Sequence, residues 1–235
     1  MMHSLIHHAL YPLKRFEIRS LRQRCTKKRA IVLTYDDGPC PRMTSEVLGV
    51  LDDSGAHATF FVVGNCVDTH PDVLRRIQNA GHEIGSHSMK HLHALKVDSK
   101  LILDDFKSGI ANLSSHGVSP QIFRPPYGKL LWNTRRACDA AKCRIGWWTL
   151  DSGDSAKHIP TSAYVVDQIK RAGGGVVLMH DLDRTGQQAE LRESHTIETT
   201  RALLKLAADE DYTIMTMGDL LGLSSLPPSQ SVDHG

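Results

Sequence analysis

No stretch of this 235-residue sequence approaches the ~18 consecutive apolar residues that a membrane-spanning helix needs. The N-terminus also reads as a poor secretory leader: the early apolar residues Leu5, Ile6, Ala9 and Leu10 are broken by His7 and His8 and followed by Pro12. The expected compartment is therefore the cytoplasm. The five cysteines (Cys25, Cys40, Cys66, Cys138, Cys143) are odd in number and lack C-x-x-C spacing. They support neither a zinc ribbon nor a disulfide framework, and reduced thiols are the expectation. Internal repeats are absent. Clustered basic residues are confined to one segment, Lys14 to Arg29, where eight Lys and Arg face one acid, Glu17. That segment carries +7 of a net +2, so the remainder carries −5. A mildly acidic body excludes nucleic acid as the expected partner, because phosphate binding needs clustered bases on the working face. The leader itself is charged to touch anionic lipid, with Leu13, Phe16, Ile18 and Leu21 interleaved. Lacking a clean apolar face, it is expected to be a solvated, partly helical extension.

What the sequence does contain is a folded domain's worth of apolar residues, 40% of the chain, enough for one core. The expected organisation is a basic extension over 1–29, a folded domain over 30–222, and a Ser- and Pro-rich, disordered tail over 223–235. Within the domain, short β-type runs alternate with longer helical ones. The runs Ala30–Tyr35, His57–Val63, Glu83–Ser86, Gln121–Arg124, Arg144–Thr149, Gly175–Met179 and Tyr212–Thr216 read as strands. Helices are expected near 43–54, 71–80, 98–115, 131–142, 160–172 and 195–208. This alternation predicts an α/β fold, a distorted barrel of about seven parallel strands, closed or nearly so.

Barrels of this kind carry their chemistry at the C-terminal ends of the strands. Five of the seven proposed strand ends carry ionisable groups: Asp36-Asp37, His87 and His91, Arg124, Asp151 and Asp154, and His180-Asp181. His87 and His91, spaced i and i+4, would present both rings on one side of a helical turn. With Asp37 they make a two-histidine, one-carboxylate set suited to a catalytic divalent metal such as Zn²⁺. The His91/His93 pair is a weaker competitor, since residues two apart share a face only on a strand. His57, His70 and His82 have no evident acidic partner and read as structural or exposed. Adjacent side chains point apart, so Asp36 can handle protons while Asp37 binds metal; an Asp-Asp-Gly-Pro run is also a common turn, but two acids after a buried strand need partners. Arg124 either orients a carboxylate such as Asp36 or faces solvent at the rim. His180 suits proton donation to a leaving group, oriented by Asp154.

Together these segments resemble the NodB-homology polysaccharide deacetylases, the carbohydrate esterase family 4 group. The resemblance rests on Thr34-Tyr35-Asp36-Asp37-Gly38-Pro39 (family T-F-D-D-G-P), His87-Ser88-Met89-Lys90-His91 (H-S/T-x-x-H), Arg124-Pro125-Pro126-Tyr127-Gly128 (R-x-P-Y-G) and Leu178-Met179-His180 (L-x-H), and it spans residues 30 to 218. It implies hydrolytic, metal-dependent removal of acetyl from an N-acetylated sugar, with a carbohydrate as partner. The metal, Zn²⁺ or another divalent ion such as Co²⁺, would lie on Asp37, His87 and His91. Asp36 would be the base oriented by Arg124, and His180 the acid tuned by Asp154. The Tyr127 N–H would stabilise the oxyanion, and Leu178 would meet the acetyl methyl. An O-acetyl esterase and a non-catalytic sugar-binding relative are the alternatives. One motif departs: the family's D-x-x-D-W reads Asp151-Ser152-Gly153-Asp154-Ser155, which puts the substrate pocket in question and leaves Trp147 or Trp148 to supply an aromatic wall.

Overall fold

The computed structural model describes residues 2–223, with side chains from residue 12 onward; apart from Leu223, the expected disordered tail lies outside the described residues. Eight parallel strands make one sheet: β1 (Ala30–Asp36), β2 (Thr59–Val62), β3 (Glu83–Ser86), β4 (Ile122–Phe123), β5 (Arg144–Ile145), β6 (Leu150–Asp151), β7 (Gly175–His180) and β8 (Thr213–Ile214). Seven follow the order β5-β4-β3-β2-β1-β7-β6, curled into a half-barrel, and β8 pairs with the first two residues of β1. The helices are α1 (Met2–Lys28), α2 (Met43–Asp52), α3 (Gly64–Thr69), α4 (Pro71–Asn79), α5 (Ser99–Ser115), α6 (Trp132–Ala140), α7 (Ser162–Ala172), α8 (Ala189–Asp209) and α9 (Met217–Leu221). None of the described helices is long and apolar enough to cross a membrane.

Side chains alternate across a strand with period 2, and this decides where the chemistry lies. On β1, Ile31, Leu33 and Tyr35 face the outer core, with Val47 and Leu51 of α2, Val165 and Ile169 of α7, and Leu203 of α8. Ala30 and Val32 face the inner core, with Phe61 and Val176. Thr34 and Asp36 continue that inner row toward the rim, and β7 repeats the pattern as Val176, Leu178 and His180. The inner row is thus apolar at its base and polar at its mouth.

Two sequence expectations need correction. The run Arg144–Thr149 is not one strand. It leaves the sheet at Gly146, where any Cβ would lie 2.5 Å from the Phe61 ring, so the chain passes over that ring only because position 146 has no side chain. Residues 146–149 then cross the open side of the half-barrel to β6, on the opposite edge of the sheet. The basic leader is not solvated along its length either. In α1, Leu21 and Cys25 are buried against Ala30, Val32 and Val176, filling the concave face below the site. Lys14 Nζ donates to Gly128 O at 3.0 Å. Glu17 accepts from Trp147 Nε1 and Arg135 Nη1, each at 2.8 Å. Basic residues at nearly every turn obscure the narrow apolar seam that docks, Leu21 and Cys25 with Leu13 and Ile18 packed beside them.

Leu21→Ala should therefore cost about 2–4 kcal/mol, as for a buried leucine, read from urea unfolding. A loss within about 0.5 kcal/mol, typical of surface positions, would mean that the leader does not belong to the core.

Candidate active site

At the mouth of the half-barrel the segments after β1, β3, β4, β6 and β7 converge. Asp36 is buried at the end of β1, and Arg124, fully buried after β4, places Nη1 2.7 Å from its Oδ1. The same Nη1 donates to Thr34 Oγ1 at 2.9 Å, and Nε donates to Gly146 O at 2.7 Å. The guanidinium lies 4.0 Å over the centre of the Phe61 ring. Of the two readings of Arg124 the solvent-facing one is excluded. Burial raises the Asp36 pKa above the ordinary carboxylate value, opposed by the charge of Arg124 and, more weakly, of His180.

Asp37 turns away from Asp36. Its Oδ1 lies 3.5 Å from His87 Nε2 and 3.2 Å from His91 Nε2, yet it is buried without a hydrogen-bond partner. His87 Nδ1 sits 2.7 Å from the Arg124 carbonyl. That contact makes Nδ1 the protonated nitrogen and leaves the Nε2 lone pair facing Asp37. Burial, foremost, pushes the His87 pKa down to about 3, so the ring is neutral and supplies no counter-charge. One atom from each of Asp37, His87 and His91 falls within 4.8 Å of the others. A lone buried carboxylate oxygen facing two imidazole nitrogens, one of them a neutral lone-pair donor, fits a divalent cation.

The two histidines do not meet by helical spacing, as the i, i+4 pattern suggests. Residues 87–93 are a loop, with positive φ at Ser88 (69°) and His91 (55°). Asp105 of α5, a buried acid the motif reading missed, accepts from Lys90 N at 2.7 Å. Ser88 packs onto Gly109 so closely that a Cβ there would lie 2.6 Å from its carbonyl carbon. The available signal was an acid on the buried stripe of α5, beside Ile102, Phe106 and Leu113. Positive φ recurs at Asp37 (79°) and Tyr127 (56°), so four of the seven such non-glycine residues among those described border this site. Each conformation is held at a cost of about 1–3 kcal/mol, a pattern typical of functional sites. The Tyr127 N–H makes no hydrogen bond to a described residue, and its ring lies 4.6 Å from those of both His91 and His93.

On the opposite wall, Asp154 is fully buried and holds His180 twice, through Nδ1 at 2.8 Å and the backbone N–H at 2.8 Å. Thr196 Oγ1 adds a 3.1 Å bond to Asp154 Oδ2. Burial by itself would lower the His180 pKa, but the hydrogen bond and charge of Asp154, with smaller contributions from Asp36 and Asp37, push it up to about 9. Leu178, between Thr34 on β1 and Asp151 on β6, is buried but belongs to neither core. Trp147 is core, committed to Glu17. Trp148 is half-buried, its ring centre 5.5 Å from the Arg124 guanidinium, and is the better placed of the two as an aromatic wall. Asp181, which the sequence places at a strand end without a role, is buried beneath the Asp36-Asp37 turn. It accepts from Gly38 N at 3.1 Å and Thr44 Oγ1 at 2.6 Å, and burial raises its pKa to about 8.

Arg124→Met should cost about 3–5 kcal/mol in urea unfolding, the penalty for stranding one member of a buried ion pair. Adding Asp36→Asn should recover part of that loss. Simple additivity of the two losses would mean that the pair is not coupled.

The chain matches the family described as polysaccharide deacetylase over residues 23–145, a span that includes Asp36, Asp37, His87, His91, Arg124 and Tyr127 and ends before Asp154 and His180. It is 32% identical over 198 residues to the peptidoglycan-N-acetylmuramic acid deacetylase PdaC of Bacillus subtilis, covering 82% of this chain and 39% of that protein. The chain thus spans well under half the length of that relative. Similarity to a chitooligosaccharide deacetylase of Bradyrhizobium is 31% over 182 residues, covering 74% of this chain and 81% of that protein. Among solved structures, peptidoglycan deacetylase PdaC from Bacillus subtilis aligns with a TM-score of 0.69 at 27% identity, covering 84% of this chain and 92% of that one.

Proposed function

The chain belongs to the polysaccharide deacetylase family, and from that premise we propose that it hydrolyses the N-acetyl group of an amino sugar in a GlcNAc-containing oligo- or polysaccharide, with a divalent metal at Asp37, His87 and His91. The observation that carries this reading is the pairing of the unsatisfied Asp37 oxygen and two imidazoles with two separately held proton carriers, one on each wall. A divalent ion such as Zn²⁺, when bound, supplies Lewis-acid polarisation of the acetyl carbonyl and eases deprotonation of the attacking water.

The chain's own groups do the rest. Asp36, ionised and aimed by Arg124, takes the water's proton as the new C–O bond forms. Burial raises its pKa above the ordinary carboxylate value, which makes it a stronger base than a solvent-exposed aspartate. The Tyr127 N–H, held ready by its positive φ, donates to the developing oxyanion. His180 enters as the imidazolium, its Nδ1–H directed at Asp154, so that Nε2 gives the proton to the sugar nitrogen as the C–N bond breaks. Acetate and a free amine result. Leu178 packs against the methyl and excludes larger acyl groups.

Acetate release should be measured across chitooligosaccharides, peptidoglycan fragments and acetylated xylan. Release from the first two, lost on chelation and restored by Zn²⁺ or Co²⁺, is expected; release from xylan alone would make this an O-acetyl esterase, and full activity without metal would sink the mechanism. Asp36→Asn should retain about one metal per chain and lose ~10²-fold or more in turnover, whereas Asp37→Ala should lose the metal. Equal loss of metal in both variants would overturn the division of roles.

The His180 pKa, raised to about 9 by Asp154, keeps the acid protonated at neutral pH, and activity should fall as pH rises through that value. Asp154→Asn removes the charge that raises it, so the alkaline limb of kcat/KM should move to lower pH, toward the unperturbed histidine value near ~6.5. An unmoved limb would mean that it reports some other group.

A further inference from the structure

Where the family's fourth motif carries a tryptophan, this chain has Ser155, and the space beside it is occupied by a cation. Arg184, from the segment after β7, donates through Nη2 to Ser155 Oγ at 2.9 Å. The same nitrogen is 3.7 Å from Asp154 Oδ2. Ser155 Oγ lies 3.2 Å from His180 Nδ1, so the guanidinium is one hydroxyl away from the imidazole assigned to protonate the leaving nitrogen. Among the described residues no hydrogen bond engages Nε or Nη1 of Arg184, although its side chain is only 15% exposed.

Its backbone is fixed. Arg184 N–H donates to Glu193 Oε1 at 2.7 Å, and Glu193 is gripped by both terminal nitrogens of Arg42, at 2.9 and 2.6 Å. One residue earlier, Asp183 accepts from Met43 N at the start of α2, at 2.7 Å. A preset arginine of this kind loses little entropy when it binds an anion.

The acids nearest it are engaged by other groups, Asp183 by the backbone N–H groups of Arg42 and Met43. Asp154 is matched by the protonated His180, and Glu193 by Arg42. Arg192, on the other side of the same loop, donates to the Asp154 carbonyl at 2.7 Å and to Gln188 Oε1 at 3.1 Å, neither of which carries charge. Among the described residues Arg192 is thus bonded to no carboxylate, and the Arg184 side chain pairs only with Asp154, which it shares with His180. A wall that is apolar with an indole is here cationic, with free donors.

We infer that Arg184, seated on Ser155, makes the pocket selective for an N-acetylated amino sugar that carries an acidic substituent, a carboxylate or a phosphate, close to the acetylated nitrogen. This rests on the deacetylase reading above and narrows its substrate class. The guanidinium fork suits either anion. Arg184 also screens Asp154, so a purely positioning role has to be separated from anion recognition.

The test compares kcat/KM for acetate release from an N-acetylglucosaminyl–N-acetylmuramic acid disaccharide, from its carboxyl methyl ester, and from neutral N,N′-diacetylchitobiose (chitobiose below); N-acetylglucosamine 1-phosphate supplies the phosphate arm. The wild-type chain should prefer the free acid over its ester by about tenfold, in line with one charge-assisted contact. In Arg184→Met that ratio should fall to about one, with Arg184→Lys between. The wild-type ratio should also shrink as NaCl is raised, a readout that needs no variant to fold. A larger advantage for the phosphate over chitobiose than for the acid over its ester would assign the anion as phosphate. Equal rates for acid and ester, with no advantage for the phosphate, would overturn the inference while leaving the deacetylase reading intact. So would an equal fall on acid and ester in Arg184→Met, which marks positioning alone. No acetate from any of these compounds would instead count against the deacetylase reading.

Discussion

A carboxylate and a guanidinium removed together from water are tolerated only when each meets the other and their remaining polar atoms are largely bonded. Arg124 meets most of that demand, its Nη2 being left without a partner among the described residues, by reaching three parts of the fold at once. It binds Asp36 and Thr34 on β1, and it holds the carbonyl of Gly146 where the chain leaves the sheet. Through its own carbonyl it sets the tautomer of His87. Asp36, the bridge over the open side and the orientation of the His87 ring are thus tied to one fully buried side chain. The two prolines that follow it keep that side chain from being drawn outward.

The two walls of the site solve their electrostatics differently. Asp36 is dry and opposed by a permanent cation, so its charge state is set by competition between burial and Arg124. His180 is paired with an acid that is itself buried and triply bonded, so it keeps its proton at neutral pH. The proposed mechanism draws on that difference, a base on one wall and an acid on the other, each with its proton affinity set by its own partner. Ser155 belongs to the second wall. Losing an indole there removes apolar cover from the dyad, and Arg184 occupies the position with charge instead.

Much of this was legible in the sequence because the chemistry sits where the strand pattern ends. Asp36, Arg124 and His180 close apolar runs, and period-2 alternation carries Asp36 and His180 onto the inner face, while Asp37 and Asp154 lie in the turns that follow their strands. Physical reasons account for what was not legible. The loop of His87 and His91 is non-helical because Ser88 and His91 adopt positive φ, which no spacing rule signals. The Trp147-Trp148 run has β character, yet Gly146 takes it out of the sheet. Leu21 and Cys25 dock through a seam too narrow to raise the helix's apolar periodicity among so many bases. Asp105 and Asp181 brace the site from behind, and an isolated acid in a helix or after a histidine resembles any other until its burial is known.

The open side of the half-barrel has a bearing on how the molecule coexists with its own copies. An unclosed sheet leaves two edges whose N–H and C=O groups can recruit a strand from another chain. Here both edges come from one short stretch, β5 and β6, each two residues long. Neither is long enough for an incoming strand to establish a register. Each also places a charge outward, Arg144 on one side and Asp151 on the other, both exposed. The gap that admits α1 is thereby guarded against sheet extension by the brevity and charge of its borders, without any hydrogen-bonded closure.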